Sequence, residues 1–207
     1  MKHRTSQILF DYWNMARHGR SAPHRFEIEP ARIGPILPET FILERINQQT
    51  FRFRLAGTRL CEQFHQEFRG RNFLDLWDDS DRITLERQFS SMCHDCAVMM
   101  LTFEAVNGAG ASTTFETVIF PLLHGQTNVS RALGAMSAAE RPLWLGRDPV
   151  VALRLSAHEL LWPDGRQRPL PRDLLQQAPL NHGSSRLVQQ DRRAFRVYEG
   201  GLSKPKS

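Results

Sequence analysis

Two cysteines and a histidine lie within four residues of one another, in the segment Cys93-His94-Asp95-Cys96. Thiolate and imidazole bind zinc readily, but a structural zinc site needs four ligands, which usually come from two such segments. Cys61 would have to supply a further sulfur from another helix, and Ala97 stands where a haem-attachment motif requires histidine. We therefore predict no metal here, with Cys96 in a core-facing helical stripe and Cys93 near the helix end.

Other residues that could carry catalytic or cofactor chemistry lack the patterns that such chemistry requires. Gly108-Ala109-Gly110 has no third glycine and no following helix, so it is predicted to be a turn rather than a phosphate loop. Ser137 and His158 have no Gly-x-Ser-x-Gly turn and no recognisable acidic partner. His65 could bind haem, but a surface histidine on an amphipathic helix explains it as well. The sequence predicts a non-enzymatic protein and identifies no cofactor.

A set of apolar side chains is the best candidate for a ligand site. They come from elements that would enclose a single interior, so they can line a pocket or simply fill a core. A small-molecule pocket also needs a few polar groups among its apolar walls, and Arg54 and Arg71 are the nearby candidates. The predicted pocket lining is Phe53, Arg54, Leu55, Cys61, Phe64, Phe89 and Met92.

The segment Phe51–Leu60 predicts a strand that turns directly into a helix. Its alternation places Phe51, Phe53 and Leu55 on one face of the strand, with arginines on the other. Thr58 is the predicted N-cap of a short helix over residues 58–68, which Gly70 ends. A ligand pocket can open at such a junction.

Hydrophobic periodicity predicts the other elements and an α+β fold class. The order is a helix, two strands, several helices and three antiparallel strands. This order predicts a five-stranded antiparallel sheet, with helices inserted between strands 2 and 3 and an amphipathic N-terminal helix. The predicted elements are a helix through Ile8–Ala16, strands Thr40–Ile46 and Phe51–Ala56, a helix over Ser80–Cys96, strands Val98–Val106, Thr113–Leu122 and Val129–Ser137, and a further run, Val150–Leu155, which is either an edge strand or a short extension.

Length and charge predict one core domain with basic ends. The chain has 207 residues and a formal charge of +5, of which residues 1–32 carry +3, residues 33–153 carry −3 and residues 154–207 carry +5. We predict an N-terminal helix and loop at 1–38, a core at 39–156 and a Pro-, Gln- and Arg-rich extension at 157–207, with a re-docking strand at 194–198. Three cysteines favour a reducing, cytoplasmic location, and no stretch is long enough to enter a membrane.

Several short motifs resemble a family of small stand-alone PAS-like proteins from alphaproteobacteria. The resemblance covers roughly residues 6 to 140 and rests on five motifs. It implies a PAS fold and a cytoplasmic signalling module that senses or docks rather than catalyses. The motifs are Tyr12-Trp13, the approach from Ile33 to Leu37-Pro38, the junction Phe53-Arg54-Leu55-Ala56-Gly57-Thr58, Phe68-Arg69-Gly70-Arg71, and Phe120-Pro121-Leu122.

The resulting hypothesis is a PAS-like regulatory module that binds a small ligand or a protein partner in a signalling pathway. A constitutive protein adaptor without a ligand is the alternative. A nucleic-acid-binding regulator that uses the basic tail is the third, and is disfavoured because no dense basic run or stacking aromatics accompany the charge. A homodimer is also predicted, since the N-terminal helix is rich in apolar residues that its own sheet would bury only in part. The predicted interface is Ile8, Leu9, Tyr12 and Trp13.

Overall fold

The computed structural model describes residues 1–124 and 128–163, which form three α-helices and six strands. The predicted strand at 194–198, the rest of the extension from residue 164 onward and part of the turn between the last two predicted strands lie outside the described residues. The α-helices are α1 (Arg4–Ala16), α2 (Thr58–Phe64) and α3 (Asp79–Asp95), and short 3-10 segments span Arg25–Glu27, Pro30–Glu39 and Phe73–Leu76. The strands are β1 (Thr40–Asn47), β2 (Thr50–Ala56), β3 (Val98–Asn107), β4 (Ser112–His124), β5 (Asn128–Ala138) and β6 (Val150–Leu161).

The sheet is antiparallel throughout, with the strand order β2-β1-β5-β4-β3-β6. The described residues therefore contain six strands rather than the predicted five, because the run that begins at Val150 pairs along most of β3. Three of the four residues from Ser156 to Glu159 are polar, so the apolar pattern in the sequence stops at Leu155. An edge strand tolerates polar residues because one of its two long edges has no neighbouring strand and is open to solvent. The strand also continues past residue 156, where the sequence had placed the end of the core.

The two faces of the sheet are covered by different helices. Phe115 and Phe120 have opposite parity on β4, so their side chains point to opposite faces. The Phe115 ring lies 5.3 Å from the Phe64 ring of α2, which defines the inner face. The Phe120 ring lies 5.4 Å from the Trp13 ring of α1, which defines the outer face. Helices α2 and α3 thus cover the inner face and α1 covers the outer one.

The N-terminal helix is formed as predicted, and its apolar stripe is buried within the same chain. Leu9 and Trp13 are fully buried, and the indole N–H of Trp13 donates to the carbonyl of Pro121 at 3.0 Å. His3 caps the helix, since its Nδ1 accepts from the Thr5 N–H. Burying two such side chains contributes roughly 1.5–3 kcal/mol each, so α1 is an integral part of the domain.

The strand-to-helix junction lies where it was predicted, but its capping differs. Gly57 rather than Thr58 is the N-cap, and no side chain caps α2. Gly57 donates its N–H to the Thr40 carbonyl at 2.8 Å, and a Cβ on Gly57 would lie 2.3 Å from the Pro38 carbonyl oxygen. Because the Pro38 backbone lies this close, a side chain cannot be accommodated at position 57 and glycine is required there. The helix is also shorter than predicted, because it ends at Phe64 with the next residue, His65, left-handed at φ 51°.

The stripe of α3 packs on the sheet with one change from prediction. Leu85, Phe89 and Met92 are fully buried as expected, but the fourth member is Cys93 and not Cys96. The helix ends at Asp95, and Cys96 has a left-handed φ of 52°, which turns it out of the helical stripe. Burial raises the pKa of the Cys93 thiol to about 11. Cys93 is therefore a protonated core residue at neutral pH.

Candidate functional site

Aromatic side chains occupy the space between the inner face and helices α2 and α3. The Phe51 and Phe89 rings stack with centroids 4.0 Å apart, which joins β2 to α3. The Phe41 ring lies over Gly134 so closely that a Cβ on this glycine would be 2.2 Å from a ring carbon. Ring contacts continue through the whole interior, over Phe41, Phe53, Phe64, Phe68, Phe73, Trp77, Phe103 and Phe115.

Four of the predicted pocket residues are brought together in this interior. Phe53 and Phe64 both contact the Phe68 ring, at 4.9 and 5.4 Å. Cys61 is only partly buried on α2, with its Sγ 3.9 Å from a carboxylate oxygen of Glu67. None of the predicted pocket residues lines the surface cavity of about 610 Å³ near the end of the β4–β5 hairpin. The buried members are Phe53, Phe64, Phe89 and Met92.

Arg54 and Leu55 do not face the interior, so the prediction that these two residues line a pocket is wrong. The β1–β2 register shifts here, since Ile42 pairs with Leu55 while the next residue, Leu43, pairs with Phe53. Arg54 is the extra residue of a β-bulge, and a one-residue slip moves every following side chain to the other face. Leu55 is therefore 50% exposed. Arg54 points to solvent, where it pairs with Glu44 at 3.5 Å.

Three buried polar atoms beside this interior have no hydrogen-bond partner among the described residues: Gln63 Oε1, Trp77 Nε1 and Thr117 Oγ1. Gln63 shares the buried side of α2 with Phe64. Thr117 lies on the inner face of β4, two residues after Phe115. The indole of Trp77 packs on the Phe103 ring at 5.1 Å. A buried polar group without a partner costs roughly 1–3 kcal/mol, so native proteins rarely leave one without a reason.

Sequence reasoning missed these three residues. Thr117 occupies an ordinary position in an alternating strand, and Trp77 follows an apolar turn. A hydrophobic pattern does not say which polar atoms will find partners. The available signal was their residue type, since Gln, Trp and Thr side chains each carry a polar atom that needs a partner once it is buried.

A buried carboxylate, Glu39, forms hydrogen bonds with four separate segments of the fold. Its Oε2 accepts from Thr5 Oγ1 of α1 at 2.6 Å and from Ser137 Oγ of β5 at 2.8 Å. Its Oε1 accepts from the guanidinium groups of Arg59 at 2.7 Å and Arg141 at 2.8 Å. One side chain thus joins α1, β5, α2 and the segment after β5.

The environment of Glu39 favours its charged form. Burial by itself would raise the pKa of this carboxyl, but hydrogen bonds from Thr5, Ser137 and Arg59 outweigh that effect and the pKa is lowered. Glu39 is 4% exposed, so its four partners replace the water that the carboxylate loses. Local sequence patterns could not predict this cluster, because the partners lie 20 to 102 residues away along the chain.

The residues predicted to form a dimer interface are largely used within the chain. Leu9, Tyr12 and Trp13 are buried against the sheet and the loop that follows α1, and Tyr12 Oη accepts from the Glu29 N–H at 2.6 Å. Ile8 is only partly buried. The apolar side chain of α1 that stays most open to solvent is Met15, which is 54% exposed.

Comparison with known proteins identifies the family. A family model described as a PAS domain matches residues 1–137. The chain belongs to the PAS domain family. Among residues 1–124 and 128–163, no helix is long and apolar enough to cross a membrane, and no three His, Cys, Asp or Glu side chains are grouped as metal ligands.

Solved structures similar to the chain include three of light-oxygen-voltage (LOV) domains. The light-state structure of the blue-light photoreceptor Aureochrome1 LOV has 11% identity over 55% of this chain and 90% of that one, with a TM-score of 0.41. The Rhodobacter sphaeroides LOV protein has 8% identity over 56% and 71%, with a TM-score of 0.41. A light-oxygen-voltage domain studied with a flavin analogue has 11% identity over 49% and 77%, with a TM-score of 0.39. No curated protein matches the chain.

Proposed function

We propose that this chain is a non-enzymatic sensory module of signal transduction, in which a small polar ligand held at the inner face modulates a protein interface. The observation that carries the proposal is that Gln63, Trp77 and Thr117 each hold a buried polar atom without a hydrogen-bond partner among the described residues. An indole donates, an amide oxygen accepts and a hydroxyl does both. A ligand with donor and acceptor groups would satisfy all three atoms, while the surrounding phenylalanines would hold its apolar part.

A route from such a ligand to the surface runs through the sheet. Thr117 and the outer-face residue Glu116 are adjacent on β4, and Glu116 accepts from the backbone N–H groups of Lys2 and His3 at 2.7 and 3.1 Å. A shift of β4 would therefore move the start of α1. Glu39 adds a second link, since it holds Thr5 of α1 and Ser137 of β5 together. The output of the module would be a change in the position of α1.

The constitutive adaptor is the second candidate, and exposed apolar side chains on the β1–β2 hairpin favour it. Ile46 and Leu55 are 49% and 50% exposed, so a protein partner could cover them. In this case ordered water would satisfy the three interior atoms.

We also propose that the chain is cytoplasmic and belongs among the small stand-alone PAS-like proteins of alphaproteobacteria. Motifs such as Phe53–Thr58 and Phe68–Arg71 support this proposal.

Replacing Thr117 with valine separates the two candidates. If a ligand is held, we expect a native mass spectrum of the purified wild type to exceed the chain mass by that ligand, and the variant to lose both the ligand and thermal stability. If only ordered water is held, wild type and variant should each have the mass of the bare chain, and the variant should lose no more than about 1 kcal/mol of unfolding free energy, because one hydrogen bond to water is removed with the hydroxyl.

The matched control is Thr102→Val, which makes the same change at a half-buried position on a neighbouring strand. It should leave ligand retention unchanged. A wild type whose mass equals that of the bare chain, together with a Thr117→Val variant within about 1 kcal/mol of the wild-type stability, would contradict the sensory proposal and favour the adaptor.

We further propose that the chain forms a homodimer through the exposed side of α1. Ile8 and Met15 are seven residues apart and therefore lie on one side of the helix. Met15→Glu should shift the species in light scattering from dimer to monomer while the circular dichroism spectrum stays native. Asn14→Glu adds the same charge at a neighbouring exposed position and should leave the dimer intact. A wild type that is monomeric at tens of micromolar would contradict this assignment.

A further inference from the structure

A surface cavity of about 610 Å³ lies near the end of the β4–β5 hairpin. The segment after α1 is fixed there by two backbone contacts: the Leu123 N–H donates to the Pro23 carbonyl at 2.9 Å, and His24 forms a bridge with Leu123. Small-molecule sites have volumes of roughly 300–1,000 Å³, so the size suits a metabolite. The cavity is lined by His24, Arg25, Phe26, Leu123, His124, Ser130 and Arg131.

Every polar side chain that lines this cavity can donate a hydrogen bond, and none of them is a carboxylate. Arg25 and Arg131 supply guanidinium groups, and His24, His124 and Ser130 supply imidazole and hydroxyl groups. Arg131 Nη2 donates to Glu44 Oε1 at 3.0 Å. That bond uses one of five guanidinium donors and leaves the others for a ligand. A site built in this way selects for negative charge.

The second feature of the cavity is an aromatic platform in solvent. Phe26 is 80% exposed, and its ring stacks on the His24 imidazole with centroids 5.3 Å apart and planes 10° from parallel. The loop that carries the platform is held in place, because Glu27 Oε2 accepts from the His24 N–H at 2.7 Å and from Arg20 Nη2 at 2.6 Å. One face of the Phe26 ring is therefore presented in a fixed position beside the cationic groups.

The geometry points to a binding site for a small aromatic anion, such as a nucleoside monophosphate. The flat ring of the ligand stacks on Phe26, and its phosphate or carboxylate group binds Arg25, Arg131 and His124. A molecule with only the flat ring, or only the anionic group, makes one set of these contacts and loses the other. The volume of about 610 Å³ favours a small molecule over an extended strand of nucleic acid, which would need a groove with several stacking positions.

The experiment is a calorimetric titration with AMP, para-nitrophenyl phosphate, adenosine and inorganic phosphate. We expect both aromatic phosphates to bind, and the two half-ligands to bind about tenfold more weakly or not at all. Phe26→Ala should weaken the binding of AMP about tenfold and leave the binding of inorganic phosphate unchanged. Arg25→Gln should weaken the binding of both ligands. Thr117→Val, which alters the interior, should leave AMP binding as in the wild type.

Two controls make the same changes outside the cavity. Leu143→Ala removes another exposed apolar side chain, 84% exposed, and Arg32→Gln removes a surface guanidinium that pairs with Glu29. Both should bind AMP as the wild type does. The proposal is overturned if neither aromatic phosphate binds at millimolar concentration, or if Phe26→Ala and Arg25→Gln leave AMP binding intact. Tight binding of an oligothymidylate without binding of AMP would assign the surface to single-stranded nucleic acid and would also overturn it.

Discussion

Replacing Glu39 with glutamine should lower the free energy of unfolding by about 3 kcal/mol, because it removes the charge from four converging hydrogen bonds. The glutamine oxygen can still accept from the hydroxyls of Thr5 and Ser137, but its amide group would face the guanidinium groups of Arg59 and Arg141. Both arginines are partly exposed, at 37% and 57%, so water relieves part of the loss. Equilibrium unfolding in urea at neutral pH measures the difference.

The matched control is Glu44→Gln, which removes a carboxylate that also binds two arginines, Arg54 and Arg131. Glu44 is more exposed than Glu39, and such surface pairs contribute about 0–1 kcal/mol. Equal losses in the two variants would mean that burial of Glu39 adds nothing, which would contradict the role assigned to this cluster.

The lowered pKa of Glu39 also sets the sign of its pH dependence. A carboxyl whose folded pKa is below its unfolded value of about 4.3 stabilises the protein fully above that value. The contribution is lost as the pH falls through the folded pKa. Between neutral and strongly acidic pH, wild type should therefore lose more stability than Glu39→Gln, and the two curves should converge at low pH. Parallel curves would show that Glu39 does not titrate as an ionised partner of these groups.

Sequence periodicity was sufficient to predict most of the helices and strands. Strands such as β2 and helices such as α3 were predicted within a few residues, since alternation and helical stripes are local properties. The order of elements, with helices inserted between strands 2 and 3, followed from these assignments. Buried residues such as Phe53, Phe89 and Met92 were identified because a stripe also says which side is buried.

Features that depend on contacts between distant segments could not be predicted in this way. The bulge at Arg54 reverses the side of Leu55, and it is visible only in the pairing of β2 with β1. The packing of Trp13 could not be predicted either, because it depends on the Phe120 ring and the Pro121 carbonyl on the outer face of β4. The unpartnered hydroxyl of Thr117 is defined by what surrounds it, and no local pattern contains that information.

The same limit applies to Gly57, where sequence reasoning chose the neighbouring threonine as the cap. We expect Gly57→Ala to destabilise the domain by about 3 kcal/mol, because overpacking against a rigid neighbour costs this much and adjacent hydrogen bonds are disturbed as well. The new Cβ would lie 2.3 Å from the Pro38 carbonyl oxygen, and a backbone atom cannot rotate away as a side chain does. Urea unfolding measures the loss.

Gly34→Ala is the control, since this glycine has no atom within 4 Å of its added Cβ and no positive φ. It should change the stability by less than about 1 kcal/mol in either direction. A neutral Gly57→Ala would contradict the steric argument.

The effect of Gly57→Ala should also reach the Glu39 cluster. Arg59 is two residues beyond Gly57, and Pro38 precedes Glu39, so any movement that accommodates the new Cβ displaces both members of the 2.7 Å ion pair. Combining Gly57→Ala with Glu39→Gln should therefore cost less than the two single variants together, by about 1 kcal/mol, as is typical of neighbouring sites. Strict additivity would show that the junction and the buried carboxylate act independently, and that α2 does not depend on Glu39 for its position.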